Sequence, residues 1–222
     1  LPVAIYGKPV VLADERSTAL SRVHSLAQAR NVFKIKSVWK VDANGGAKGT
    51  IDVSGADLAA AAIQATLRQI PAGPSSEAMK NLLVSSGLQG VGSASYQNLD
   101  LDRASQTATF SLDVQDLIKN PEAGSILPHP QVGLPFYLAT SRLPYSTDKR
   151  EFGYGCKSFK MEEEFSIEFD PKYSLVRVPQ DFSTVYGPHS FRGQYKREGN
   201  TLSGTRVYQA EYPNAYCSSQ DY

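Results

Sequence analysis

Reactive side chains are scarce. The 222 residues include three histidines and two cysteines, which limits both metal chemistry and nucleophilic catalysis. His24 falls in a polar stretch, His129 between Pro128 and Pro130, and His189 in the turn-like Gly187-Pro188-His189-Ser190, so no two histidines have the spacing of metal ligands. A dyad of His189 with Cys156 is conceivable, but a surface histidine and a structural cysteine account for the pair more simply. No apolar run approaches the roughly 20 residues of a membrane span. Leu1 opens without the pattern of a signal peptide, so the chain is expected to be a mature product or, preferentially, a fragment. Charge of one sign is missing too. The 23 Lys and Arg face 22 Asp and Glu, a net +1, and neither sign gathers into a block, which argues against a nucleic-acid groove and a polybasic membrane patch.

Other signatures fail for stated reasons. Gly87, Gly90 and Gly92 follow a helical pattern instead of opening one, so they are no phosphate loop. Asn98, Asp100 and Asp102 lack the ligand order of a calcium loop, and a capped turn before Arg103 explains them; no metal and no cofactor is expected. Glu162 and Glu164 share a strand face about 7 Å apart along the strand, but nothing apolar is offered to raise a carboxyl pKa, so a solvated sheet face outweighs a glycosidase pair. No internal repeat or low-complexity tract is present.

What the chain does have is extended segments. A chain this long buries about 70% of the surface its unfolded form exposes, enough for a core without metals. Met161, Phe165, Ile167 and Phe169 alternate with Glu162, Glu164, Ser166 and Glu168, the two-residue period of a half-buried strand, with Glu163 on the apolar side. Asp170-Pro171 ends that strand, and Ser174 to Val178 is expected to form a short second one stopped by Pro179. Ser190 to Lys196 and Thr201 to Tyr212 pair across Arg197-Glu198-Gly199-Asn200.

Upstream, residues 1 to 13 suit an extended arm, and Asp14 to Arg30 has helical composition, although its apolar face of Leu20, Val23 and Ala27 is thin. Phe33, Ile35, Trp39 and Val41 share one face of a strand and Lys34, Lys36 and Lys40 the other. Asp42-Ala43-Asn44-Gly45-Gly46 turns it into a partner strand carrying Gly49, Ile51 and Val53. Ser54 is expected to cap a mostly buried helix over 55 to 70, with Asp57, Gln64 and Arg68 as a polar wedge and Ala61, Ala62 and Ala65 lying close to a sheet. A second helix starts at Ser75 or Ser76, carries Met79, Leu82 and Leu83 inward, and ends at Gly87 in the left-handed position. Strands follow around 91 to 99 and 107 to 114. Residues 117 to 135 read as an irregular crossing, and 136 to 139 as a short strand.

Cys156 precedes the long strand and Cys217 follows the last one. If those strands are antiparallel the sulfurs lie near each other, and a bridge closing about 60 residues would add roughly 4 kcal/mol on the loop-entropy account. A bridge is favoured over two unpaired thiols because turn residues flank both, and it implies an oxidising compartment such as a periplasm.

The last third is crowded with tyrosines. Tyr195, Tyr208 and Tyr212, with Arg206 and Arg192, form the candidate binding set, because tyrosines on an open sheet face stack on sugar rings while an arginine holds hydroxyls or carboxylates. Burial of the same tyrosines as one sheet face is the competing account.

Two stretches carry a resemblance. DANGGAKGTIDVSGADLAAAAIQATLRQI, residues 42–70, resembles a segment found downstream of the transglutaminase-like domain in bacterial three-part proteins: strand, Gly-containing turn, strand, Gly, and an Ala-rich helix ending in Arg. EFSIEFDPKYSLVRVPQDF and YKREGNTLSGTRVYQAEY, residues 164–182 and 195–212, resemble the C-terminal β-domain of the same proteins. The resemblance implies a non-catalytic accessory role on an exported, periplasmic chain, contacting its own transglutaminase-like domain or another protein. That family's Cys, His and Asp triad has no counterpart here, since Cys156 lacks the apolar helix that buries such a nucleophile. The expectation is therefore an α+β protein: an arm (1–30), a small sheet with two helices (31–116), a connecting segment (117–134), and an antiparallel β-sandwich-like region (135–222) packed on the sheet. The alternative function is a carbohydrate or cell-envelope binding module.

Overall fold

The structure, a computed structural model, describes residues 9–10, 21–22, 31–70, 72–73, 77–97, 99, 105–118, 154–155, 158–213 and 216–217. In chain order these form β1 (Pro9–Val10), β2 (Ser21–Arg22), β3 (Val32–Val41), β4 (Ala47–Ala56), α1 (Leu58–Leu67), α2 (Glu77–Ser85), β5 (Gln89–Tyr96) and β6 (Ser105–Gln115). They continue as β7 (Tyr154–Gly155), β8 (Phe159–Phe169), β9 (Phe182–Tyr186), β10 (His189–Glu198), β11 (Thr201–Ala210) and β12 (Tyr216–Cys217).

Eight strands make one sheet in the order β5-β6-β4-β3-β8-β11-β10-β9. The class is α+β, as the sequence pattern implies. The expected layering is not seen among the described residues: the C-terminal strands do not stack face to face on the N-terminal sheet but extend it edge to edge. The join is β3 against β8, a parallel pair in a sheet whose other pairings are antiparallel. Its register brings Lys34, Lys36 and Lys40 beside Glu162, Glu164 and Glu168, with Nζ to carboxylate distances of 3.3, 3.2 and 3.2 Å. The two charged stripes read separately in the sequence are thus one ladder on the outer face.

The inner face holds the core. Phe33, Ile35, Trp39 and Val41 of β3 line up with Ile51, Val53, Phe110, Leu112 and Val114 on one side and Met161, Phe165, Ile167 and Phe169 on the other, all buried. Both helices lie over the β3-distal half, α1 against β4 and β6 and α2 against β5. Met79 and Leu83 of α2 are fully buried, and Gly87 ends the helix at φ +74° as expected.

Four local expectations are corrected. Ser54 lies within β4, opposite Lys34 and Thr107, and α1 starts after Asp57, because the apolar alternation Ile51-Val53-Gly55 keeps the backbone in the ladder. Of the alanines expected near the sheet, Ala61 and Ala65 of α1 are exposed and Ala62 is partly buried against the core, while Ala59, Ala60, Ile63 and Leu67 are buried and Ala59 packs on Gly55. Gln64 of the anticipated polar wedge is also buried, its amide donating to Gln106 Oε1 at 3.4 Å. Residues 174 to 178 are not a strand; Val176 is exposed and the strand forms later, at β9. Within the anticipated helix over 14 to 30, Ser21–Arg22 pairs as β2 with β1, consistent with an apolar stripe too thin to hold a helix down. The rest of that span, His24, His129, and the expected short strand at 136 to 139 lie outside the described residues.

Cys217 is buried and disulfide-bonded, in a strand pairing β12 antiparallel to β7. The chain's other cysteine, Cys156, lies outside the described residues. No described helix is long and apolar enough to cross a membrane.

Candidate functional site

Beyond the helices the inner face continues over β8, β11, β10 and β9, and there it is aromatic. A two-residue turn, Gly187-Pro188, sets Tyr186 opposite His189, so Phe182, Thr184 and Tyr186 of β9 share a face with His189, Phe191, Gly193 and Tyr195 of β10. Register with β11 adds Leu202, Gly204, Arg206 and Tyr208. The rings touch in sequence. Between ring centroids, Tyr195 lies 6.2 Å from Phe165 and 6.3 Å from Phe182, Phe182 5.0 Å from Phe191, Phe191 6.3 Å from Tyr208, and Tyr208 5.3 Å from Phe159. Most of these pairs are tilted or edge-on, the arrangement that opposed ring quadrupoles favour. Two glycines make the floor: a Cβ at Gly193 would stand 2.4 Å from Phe182, and one at Gly204 2.8 Å from Phe165.

Under this shelf the polar groups are occupied by one another. Glu163, 4% exposed, accepts Arg206 Nε at 2.7 Å and Nη2 at 2.8 Å, a two-pronged pair that satisfies the charge in the position where the apolar alternation of β8 breaks. The Arg206 guanidinium lies 5.7 Å over the Phe165 ring. His189 is held at both nitrogens, Nδ1 2.8 Å from the Tyr208 hydroxyl and Nε2 3.1 Å from that of Tyr212. In a neutral ring one phenol donates to the imidazole and the other accepts from it. The rings that remain open to solvent are Phe182 and Phe191, each 36% exposed, and Tyr186 at 84%.

Of the residues singled out in the sequence, Tyr195, Tyr208 and Arg206 come together on this face, and Tyr212 joins through His189. Arg192 does not: it stands between Phe191 and Gly193 and points to the opposite face. Sequence reasoning missed Phe182 and the anchoring of His189. The signal was the Gly187-Pro188 turn, which fixes the parity of both flanking strands once it is read as a hairpin. Elsewhere, a shallow depression beside β5 is lined by Gly73, Ser93, Ser95 and Tyr96, and the Tyr96 hydroxyl there donates to the Ile70 carbonyl at 2.6 Å.

Fold and shelf together define an α+β protein built on an open eight-stranded sheet, charged and ion-paired on one face, apolar on the other, with an aromatic surface past the helices. No family model, curated protein or solved structure matches the chain.

Proposed function

We propose that the chain is a non-catalytic interaction domain that binds protein through the aromatic shelf, in the accessory position that follows a transglutaminase-like core in exported bacterial proteins. The observation that carries the reading is the contrast within the shelf. Glu163, Arg206 and His189 are engaged by neighbouring side chains, whereas Phe182, Phe191 and Tyr186 offer apolar area to solvent. Exposed aromatic area beside satisfied polar groups is the composition of an interface centre. Supporting the family placement, the first segment that carries the resemblance is formed as a hairpin leading into a helix (β3, β4, α1) and the second as a strand and a last hairpin (β8, β10, β11), without the strand at 174 to 178 between them. Supporting an oxidising, exported setting, Cys217 is disulfide-bonded.

The test has two parts. The reading frame upstream of Leu1 is inspected for a transglutaminase-like core, and that core, expressed separately, is titrated with this domain by calorimetry. Binding weakened about tenfold or more by Phe191→Ser is the expected result. Absence of such a core, or an affinity indifferent to Phe191→Ser, sinks the proposal.

A carbohydrate partner is the second reading, favoured by the half-buried Tyr195 and Tyr208 on the same face as Arg206. It is the weaker one, because Arg206 is held by Glu163 and the rings of the two tyrosines are engaged with Phe165 and Phe159. Saccharide titration that moves neither melting temperature nor tyrosine fluorescence eliminates it.

A further inference from the structure

β9 is the last strand of the sheet and hydrogen-bonds to β10 alone among the described strands. All five of its residues are exposed, Val185 to 72%. Across the two-residue turn the pairs Tyr186–His189, Thr184–Phe191 and Phe182–Gly193 exchange backbone bonds, so the N–H and C=O groups of Ser183 and Val185 point away from the sheet. Asp181 closes the lower end, its Oδ1 accepting the Tyr195 N–H at 2.8 Å where the ladder would otherwise continue. Exposed edges are commonly blunted by lysine, proline or a bulge; the sequence Phe182-Ser183-Thr184-Val185-Tyr186 has no lysine or proline.

The two faces beside this edge differ. On the inner face stand Phe182 and Tyr186, the outer rim of the shelf. On the outer face Arg192 of β10 lies in register with Ser183, and its guanidinium makes no hydrogen bond or ion pair with any described residue. Its row across the sheet runs through Val207 to Glu162, which is engaged by Lys34 and Lys160. The small Ser183 side chain leaves the way open from Arg192 to the edge. A strand added there would sit about 10 Å from the Arg192 Cα, two strand spacings, within the combined reach of an extended arginine and a carboxylate side chain.

We propose that the free edge of β9 binds an extended segment of a partner protein by strand addition, with an Asp or Glu of that segment meeting Arg192 on the outer face and its alternate, apolar residues extending the shelf beyond Phe182. This deepens the interaction-domain reading and rests on it. A second copy of the chain fits less well. β9 contains no acidic residue, so two-fold pairing of β9 with itself would leave Arg192 without a counter-charge and bring a second Arg192 to the same face.

The probe is an acetylated and amidated Val-Asp-Val-Asp-Val peptide, titrated into the isotopically labelled chain and followed by amide NMR, with Val-Lys-Val-Lys-Val as its control. The expected result is amide shifts confined to 181–193, slowed hydrogen exchange at Ser183 and Val185, and about tenfold preference for the Asp peptide that reverses in Arg192→Glu. Val185→Pro, which removes an outward N–H at a position an edge strand tolerates, abolishes the shifts. Should that variant fail to fold, Arg192→Glu, on an exposed side chain, carries the test. Equal binding of both peptides, no shifts at millimolar peptide, or self-association that Val185→Pro removes would each overturn the proposal. If Phe191→Ser weakens binding to the transglutaminase-like core and Val185→Pro does not, the edge is not the docking element and the shelf reading survives. If neither weakens it, both fall.

Discussion

Arg206 of β11 grips its direct cross-strand partner, Glu163 of the neighbouring β8, with two parallel N–H···O bonds, placing a full ion pair on a sheet face that is otherwise apolar. Desolvating two charges is expensive, and their mutual attraction offsets that only while both are present. Arg206→Met therefore leaves a buried carboxylate without its guanidinium and costs about 3 kcal/mol or more, whereas Glu163→Leu with Arg206→Met costs far less. Urea denaturation of the single and double variants measures this. A single variant within about 1 kcal/mol of the parent would contradict it.

The outer ladder is predicted to behave oppositely. Lys36 and Glu164 are both more than half exposed, so Lys36→Ala costs no more than about 1 kcal/mol and the cost shrinks further in high salt. Reversal of all three lysines to glutamate sets like charges side by side along the parallel seam. That variant should melt well below the parent in dilute buffer and recover part of the loss in concentrated sodium chloride.

Glu162 gives the seam a pH dependence. The ammonium of Lys160, with Lys34 adding to it, holds the Glu162 carboxyl below its ordinary range against the opposing effect of burial. A carboxylate depressed on folding contributes stability that is complete above its unfolded value and is lost as pH falls through the folded one. The melting temperature should thus decline on acidification below about pH 5, with a share of no more than about 1 kcal/mol that Glu162→Gln removes. An unchanged acid limb in Glu162→Gln would refute the assignment.

Trp39 lies across Gly49 on the neighbouring strand, so closely that a Cβ there would stand 2.3 Å from the ring. Gly49→Ala must displace the indole or the strand and should destabilise by about 2 kcal/mol. Because Trp39 is the chain's single tryptophan, its emission reports the displacement directly; an unshifted spectrum with unchanged stability would show that the contact is loose.

Cys217→Ser, or reduction of the parent, should lower stability by about 2 to 5 kcal/mol. Thermal melts with and without reductant check this, and the reduced parent should match Cys217→Ser.

The strands of the hairpins were readable because their alternation is clean. Phe33 to Val41 and Met161 to Phe169 declare a buried face every second residue, and Asn44-Gly45 and Gly199-Asn200 mark the turns between partners. Which strands lie side by side was not readable where partners are distant in sequence. The charges of Lys34, Lys36 and Lys40 complement those of Glu162, Glu164 and Glu168, but stripes of opposite sign also suit two solvated faces of separate layers, and only the register distinguishes them. The helix start failed for a local reason, as Ser54 is a good cap and an equally good strand residue. Of the shelf, Tyr195, Tyr208 and Arg206 are legible in the sequence as members of one sheet face. Phe182 is hidden in the sequence because the run at 174 to 178 has similar apolar content, although its Val176 is left exposed.

The parallel seam between β3 and β8 also dictates an order of assembly. Each half of the sheet contains hairpins that close through short turns, β3 with β4 and β10 with β11, but the halves meet through contacts such as Asn31 Nδ2 to the Ser158 carbonyl, 127 residues apart along the chain. Closing so long a loop is slow compared with hairpin formation. Until the halves meet, β3 and β8 are each expected to present a bare hydrogen-bonding margin, the condition under which two molecules exchange halves or aggregate.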